Sequence, residues 1–216
     1  MRRTPHFLLE DAAEVKRLIR ENPWGTFVAS TSNGLVASHY PILLDTPTGL
    51  SASEADDDII IVSHVGRPDE VALELSSGRE LLLIVQGPHG YISPGWYDEG
   101  DIIPTWNHVT AHLYGVPELL GEAENLVILE RLVDEFESRM PEPSSLRLDP
   151  EYSARVAKGT VGVRLRVSRF DARLKLSQNK PPHVRERIVA GLEGDGPYAS
   201  PALAGEMRRL DTDAAP

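Results

Sequence analysis

The sequence predicts an α+β chain, a small β-barrel with helices packed outside it. Three observations lead there. Strand-like apolar runs outnumber runs at helical spacing, no strand–helix–strand rhythm appears, and an Asn33–Gly34 pair joins two strand-like runs with the residues a tight hairpin turn needs.

Taken in order, "EDAAEVKRLIREN" places Asp11 to cap a helix, Glu14 three residues on, and Val15, Leu18 and Ile19 on one face. "WGTFVAST" and "LVASHYPILL" form the hairpin around Asn33–Gly34, and "DIIIVSHV" and "ELLLIVQG" are further strands separated by a helix-sized segment at Glu70 to Ser76. Leu81 to Val85 is a continuous apolar run, the pattern of a strand buried on both faces. Beyond it, Gly87, Pro88, Gly90, Pro94 and Gly95 are expected to break regular structure while carrying Gln86, His89, Tyr91, Ser93, Trp96 and Tyr97. "IPTWNHVTAHLYGVPELL" continues the strand pattern between Pro104 and Pro117, and "ENLVILERLVDEFESRM" is helical. "TVGVRLRVSRFDARLKL" alternates as one strand with Arg164 and Arg166 on a shared face. The tail predicts a helix from His183 to Gly191 and another opening at Ser200–Pro201, with only the last few residues disordered.

Composition removes several functions. The 216 residues suffice for one domain with a sizeable core. Without cysteine there is no disulfide, thiolate nucleophile, cysteine zinc site or thiolate-ligated haem. Twenty-two basic against 33 acidic residues give a formal charge of -11, which argues against nucleic acid or an anionic membrane as partner. The amino terminus does not read as a signal peptide, and the uncharged Asn22 to Leu44 is broken by Pro23, Asn33, Gly34, His39 and Pro41, so a cytoplasmic protein is expected.

"SHYPILLD", "SHVGRP", "QGPHGYISPGWY", "PTWNHVTAHLYG" and "KLSQNK" stand in the order and spacing of the PaiB-like proteins, which the chain resembles from about Pro5 to Leu192. These are relatives of the flavin-binding split-barrel superfamily. The resemblance implies a six-stranded split β-barrel that forms a homodimer, with a planar cofactor in a cleft at the subunit interface. It also implies a split-barrel part, residues 1–172, and a cofactor-contacting tail with helices, residues 173–216, in the same domain. Family members often carry the label of negative transcriptional regulators. "HVGRPDEV" departs from the usual Ala-Arg-Ala-Asn-Pro type of run, and the tail from "LKLSQNK" to "ALAGEM" looks closer to the haem-dependent piperazate synthase branch. That branch implies haem b, an amino-acid substrate, N5-hydroxy-L-ornithine, and closure of the nitrogen–nitrogen bond of L-piperazic acid with loss of water. The alternative is an FMN-binding flavoprotein or regulator of the same family.

The axial candidates for iron are seven histidines, six tyrosines and three methionines, Met1 among them. His6 and His183, in polar terminal segments, are expected to face solvent. His64 ends the apolar run "IIIVSH" and matches the synthase branch's haem ligand; its other reading is a strand-end histidine bonded to a backbone carbonyl. Lys180, His39 and Tyr40 are the acid–base candidates, with His39 equally readable as a satisfied core group. Arg67 is the nearest sequence candidate to hold a substrate carboxylate beside His64. His89, Tyr91 and Trp96 wall a cofactor cleft or pack a dimer interface. Lys175, Gln178 and Asn179, with Ser177 and Lys180, concentrate donors that would meet haem propionates or a flavin phosphate, or else form a solvated loop. His108 and His112 share one strand face rather than forming a helical metal pair, and Arg164 and Arg166 read as a phosphate contact or an exposed face.

Overall fold

The computed structural model describes residues 4–45 and 58–213. Met1, named among the axial candidates, and the last three residues, at the end of the tail expected to be disordered, lie outside that range. The strands are β1 (Leu8–Leu9), β2 (Trp24–Thr31), β3 (Gly34–Leu44), β4 (Ile60–Gly66), β5 (Leu81–Ile92), β6 (Thr105–Gly115), β7 (Pro117–Leu119), β8 (Thr160–Arg166) and β9 (Arg169–Lys175). The helices are α1 (Ala12–Glu21), α2 (Arg67–Ala72), α3 (Glu122–Glu137), α4 (Pro150–Ala157), α5 (Pro182–Glu193) and α6 (Pro201–Asp213). The chain forms two compact units, a larger one of Asp11–Val85 with His112–Phe170 and a smaller one of Met1–Glu10, Gln86–Ala111 and Asp171–Pro216.

In the larger unit an antiparallel sheet runs β5–β2–β3–β4–β8–β7, with β5 contributing Leu81 to Val85. Asp11 caps α1, its carboxylate accepting from the Ala13 amide, and α1 buries Val15, Leu18 and Ile19. The hairpin between β2 and β3 closes at Gly34, whose φ of 107° is open to glycine and strained for other residues. Phe27, Ile42, Ile61, Leu81, Leu83 and Leu165 fill one face of this sheet. Val62 packs with Leu120, Ile128 and Leu132, which seats α3 on the sheet. Gly162 permits that approach, since a Cβ there would sit 3.1 Å from the Asn125 backbone.

In the smaller unit the strand order is β1–β9–β6–β5, with Leu8 opposite Arg173 and Leu9 opposite Ala172. Helices α5 and α6 bury Val184, Ile188, Val189 and Leu192 with Leu203, Ala204 and Met207.

Four expectations change. β5 does not stop at Gly87: it continues to Ile92, because neither Gly87 nor Gly90 takes a positive φ, and Gly90 instead gives room to Leu203, 3.0 Å from where a Cβ would lie. The Leu81–Val85 run is fully buried on one side only, with Leu82 and Ile84 half-exposed. The run from Thr160 to Leu176 is two strands, broken at Val167–Ser168, whose amides donate to the Ile59 and Tyr114 carbonyls. The helix expected over Glu70 to Ser76 begins at Arg67, where Pro68 suits the first turn, and ends at Ala72.

Candidate functional site

The larger unit gathers four polar side chains from β3, β4 and α2. Tyr40 Oη donates to Asp69 Oδ2 at 2.7 Å and accepts the Gly66 amide at 3.0 Å, while Ser38 Oγ donates to the same carboxylate oxygen. Those two hydroxyls, Ser38 first, hold the Asp69 carboxyl below its ordinary range. Burial, then the bond to Asp69, raises the Tyr40 phenol. The His64 ring meets the Tyr40 ring edge-on, centroids 5.8 Å apart. Burial lowers the His64 pKa, so its imidazole is neutral at pH 7, and its Nδ1 is buried without a hydrogen-bond partner. A neutral imidazole with an uncommitted nitrogen is what a metal ion requires of histidine. Tyr40, by contrast, has its hydroxyl engaged as both donor and acceptor, its proton directed at Asp69.

His39 is adjacent to Tyr40 on β3 and therefore on the opposite sheet face. It is exposed there beside Thr26, its cross-strand partner. This outer face presents Trp24, Thr26, Val28 and Ser30 from β2 against Pro41, His39, Ala37 and Leu35 from β3, with Leu82 and Ile84 of β5 alongside. None of these residues is charged, yet Trp24 is 60% and Leu35 80% exposed. An uncharged surface of this kind on a chain of net charge -11 makes it a candidate binding face.

The smaller unit holds a polar cleft of about 310 Å³, lined by Tyr97, Thr105, Asn107, Lys175, Ser177 and Lys180, with Phe7, Asp101 and Asn179 at its edge. Lys175 Nζ donates to Thr105 Oγ1 and to the Trp106 carbonyl at 2.7 Å, and burial followed by the Arg173 charge lowers its pKa. Lys180 is ion-paired with Asp101 and lies over the Tyr97 ring, 4.2 Å from its centroid. Ser177 sits in the left-handed region at φ 59°, its buried hydroxyl bonded to Asn107. Gln178 braces that turn with its own amide, accepting from the Leu176 amide and donating to the Leu174 carbonyl. Its side chain is thus engaged by the backbone, and Asn179 is exposed at the cleft edge.

His89 stacks on Trp106 at 6.5 Å between centroids, its Nδ1 shared by Gln86 and the Gly87 carbonyl. The Trp96 ring lies under Gly191, where a Cβ would overlap the indole, and its carbonyl accepts from Arg187. Arg67 donates to the Lys158 carbonyl and faces Glu70. Arg164 pairs with Asp45, Glu118 and Glu124, and Arg166 with Asp58, so carboxylates already occupy both. Sequence reasoning missed Asp69 and Ser38 as partners of Tyr40, and Tyr97 and Arg173 near Lys175. The alternation Arg173, Lys175 in "RLKL" was the available signal for the last.

A family model described as "Putative FMN-binding domain" matches residues 1–169. The protein is 29% identical over 191 residues to the protease synthase and sporulation protein PAI 2 of Bacillus subtilis, covering 88% of each chain. Among solved structures it is similar to the FAD and heme binding protein from Mycobacterium smegmatis, with TM-score 0.55, 16% identity, and 85% and 80% of the two chains covered. It is also similar to the flavocytochrome Anf3 from Azotobacter vinelandii, with TM-score 0.57, 15% identity, and 81% and 72% covered. These structural likenesses carry the split-barrel α+β fold.

Proposed function

The chain belongs to the family of FMN-binding domains, and from that membership we propose that it is a PaiB-like flavin-binding protein working as a homodimer. The observation that carries this reading is the uncharged face of β2, β3 and β5. A tricyclic ring needs a flat, apolar bed with a few hydrogen-bonding groups, and Trp24, Val28, Leu35 and Ala37 offer the bed while Thr26 and His39 offer the groups. A second copy of the chain would cover what remains of the face. Bound there, a flavin would supply hydride and electron transfer, while the chain's residues hold and shield it. The test is purification with FMN present. A yellow, stoichiometric flavin complex that is dimeric by light scattering is expected; a monomer that releases all flavin on gel filtration refutes the proposal.

A second reading has its own observation, the neutral His64 imidazole with its unpartnered Nδ1. It fits an iron ligand, and the Mycobacterium smegmatis protein of this fold is an FAD and heme binding protein. Under this reading the protein is a haem-dependent piperazate synthase, with haem held at His64. The substrate's α-amine displaces the hydroxyl of its N5-hydroxylamine: one N–N bond forms, one N–O bond breaks, the amine proton leaves with the hydroxyl as water, and no net electrons move. Turnover would need neither nicotinamide nor oxygen. Incubation of haem-loaded protein with N5-hydroxy-L-ornithine under anaerobic conditions decides it. Piperazic acid in several-fold excess over protein supports the reading, and no product in either iron state removes it.

A further inference from the structure

Asn125, near the start of α3, is 3% exposed, and its Oδ1 is buried with no hydrogen-bond partner. The other end of the amide fixes its orientation: Nδ2 donates to Thr160 Oγ1 at 3.0 Å and to the Ala157 carbonyl at 3.2 Å, and the threonine hydroxyl itself donates to that carbonyl. Turning the amide round would set oxygen against oxygen. Oδ1 is therefore a committed acceptor without a donor, a state that folded proteins rarely leave unmet. Asn125 also lines a pocket of about 220 Å³ in the larger unit, between α3 and the end of α4. The pocket's walls are Ala123, Leu126, Ala154 and Ala157, with exposed Glu122 and Lys158 at its rim. Those four wall side chains offer no hydrogen bond. A trapped water needs roughly two to four polar partners, so a single side-chain acceptor among apolar walls holds it poorly.

We propose that this pocket is a binding site for a small phenol or alcohol, whose hydroxyl donates to Asn125 Oδ1 while its apolar body lies between α3 and α4. The size suits a single ring, since an apolar cavity of about 150 Å³ holds benzene. A flavin or a haem is far larger, so the site is separate from both cofactor readings and does not rest on either. Polarity selects the hydroxyl. An ammonium would bring a charge and three donors to one acceptor, and a carboxylate would bring a charge and no donor at all.

The experiment follows the side-chain NH2 of Asn125 and the methyl groups of Ala123 and Ala157 by NMR in the whole chain, as phenol or fluorobenzene is added. Phenol should shift all three signals. It should also bind roughly tenfold more tightly than fluorobenzene, a ring of like size with no donor, because only phenol meets the buried acceptor. Ala154→Leu brings a larger side chain into the pocket from an exposed position on α4, and leucine is a good helix former. The variant should therefore fold and lose the phenol shifts. Phenol that moves none of these signals at its solubility limit overturns the proposal and leaves a resident water only. Fluorobenzene that binds the wild-type protein as tightly as phenol overturns it too, since the acceptor then plays no part. Unchanged phenol affinity in folded Ala154→Leu would place the ligand elsewhere and have the same effect.

Discussion

Tyr40 is the residue on which the larger unit's polar cluster turns, because its hydroxyl ties β3 to α2 through Asp69 and to the end of β4 through the Gly66 amide. Tyr40→Phe keeps the ring against His64 but removes both bonds. A loss of about 2 kcal/mol in urea unfolding is expected, the net value of two hydrogen bonds at about 1 kcal/mol each, and a variant as stable as wild type would contradict the assignment. His64 sets a pH dependence at the same scale. Its folded pKa is depressed by burial while the unfolded chain protonates near the ordinary value of about 6.5, so the unfolded state binds more protons in between. Stability is therefore full above that value and falls as pH drops below it toward the folded pKa; His108, also depressed, adds in the same direction. Unfolding midpoints measured across this window should decline on acidification, and less steeply in His64→Leu. An equal slope in the variant would show that His64 does not contribute.

At the scale of elements, α5 docks on the turn Pro94–Trp96 through the contact of Gly191 with the indole. Gly191→Ala forces the helix outward and should cost about 1–3 kcal/mol, with a shifted Trp96 fluorescence; an unchanged denaturation curve would mean the helix yields freely. The β2–β3 face yields a second element-level expectation. Leu35→Lys places a charge at a position 80% exposed in the single chain, so it should leave the chain folded yet prevent dimer formation by light scattering. Both features bear on what the sequence disclosed. The Asp11 cap and the Asn33–Gly34 hairpin were legible because capping and tight turns are local chemistry. Gly87 and Gly90 misled, because a glycine that admits a neighbouring helix looks in sequence like a glycine that turns the chain. The Tyr40–Asp69 bond spans 29 positions and Lys175–Thr105 spans 70, so no periodicity could pair them. His64 stood out by its place at the end of an apolar strand, but its orphaned nitrogen is a fact of packing alone.

For the whole molecule, a family model described as an FMN-binding domain covers residues 1–169, and no helix among the described residues is long and apolar enough to cross a membrane. Under the two proposals, the uncharged sheet face is what the chain would offer a flavin and the neutral His64 what it would offer a haem. Flavin and haem differ in which of these they use, and they differ visibly in absorbance. The most direct test is therefore the spectrum of protein purified from cells supplied with riboflavin and a haem precursor, followed by release and identification of the bound chromophore. Released FMN, stoichiometric with the chain, is the expected result. A Soret band that disappears in folded His64→Ala, with no flavin released, would contradict the flavin account and establish the haem reading in its place.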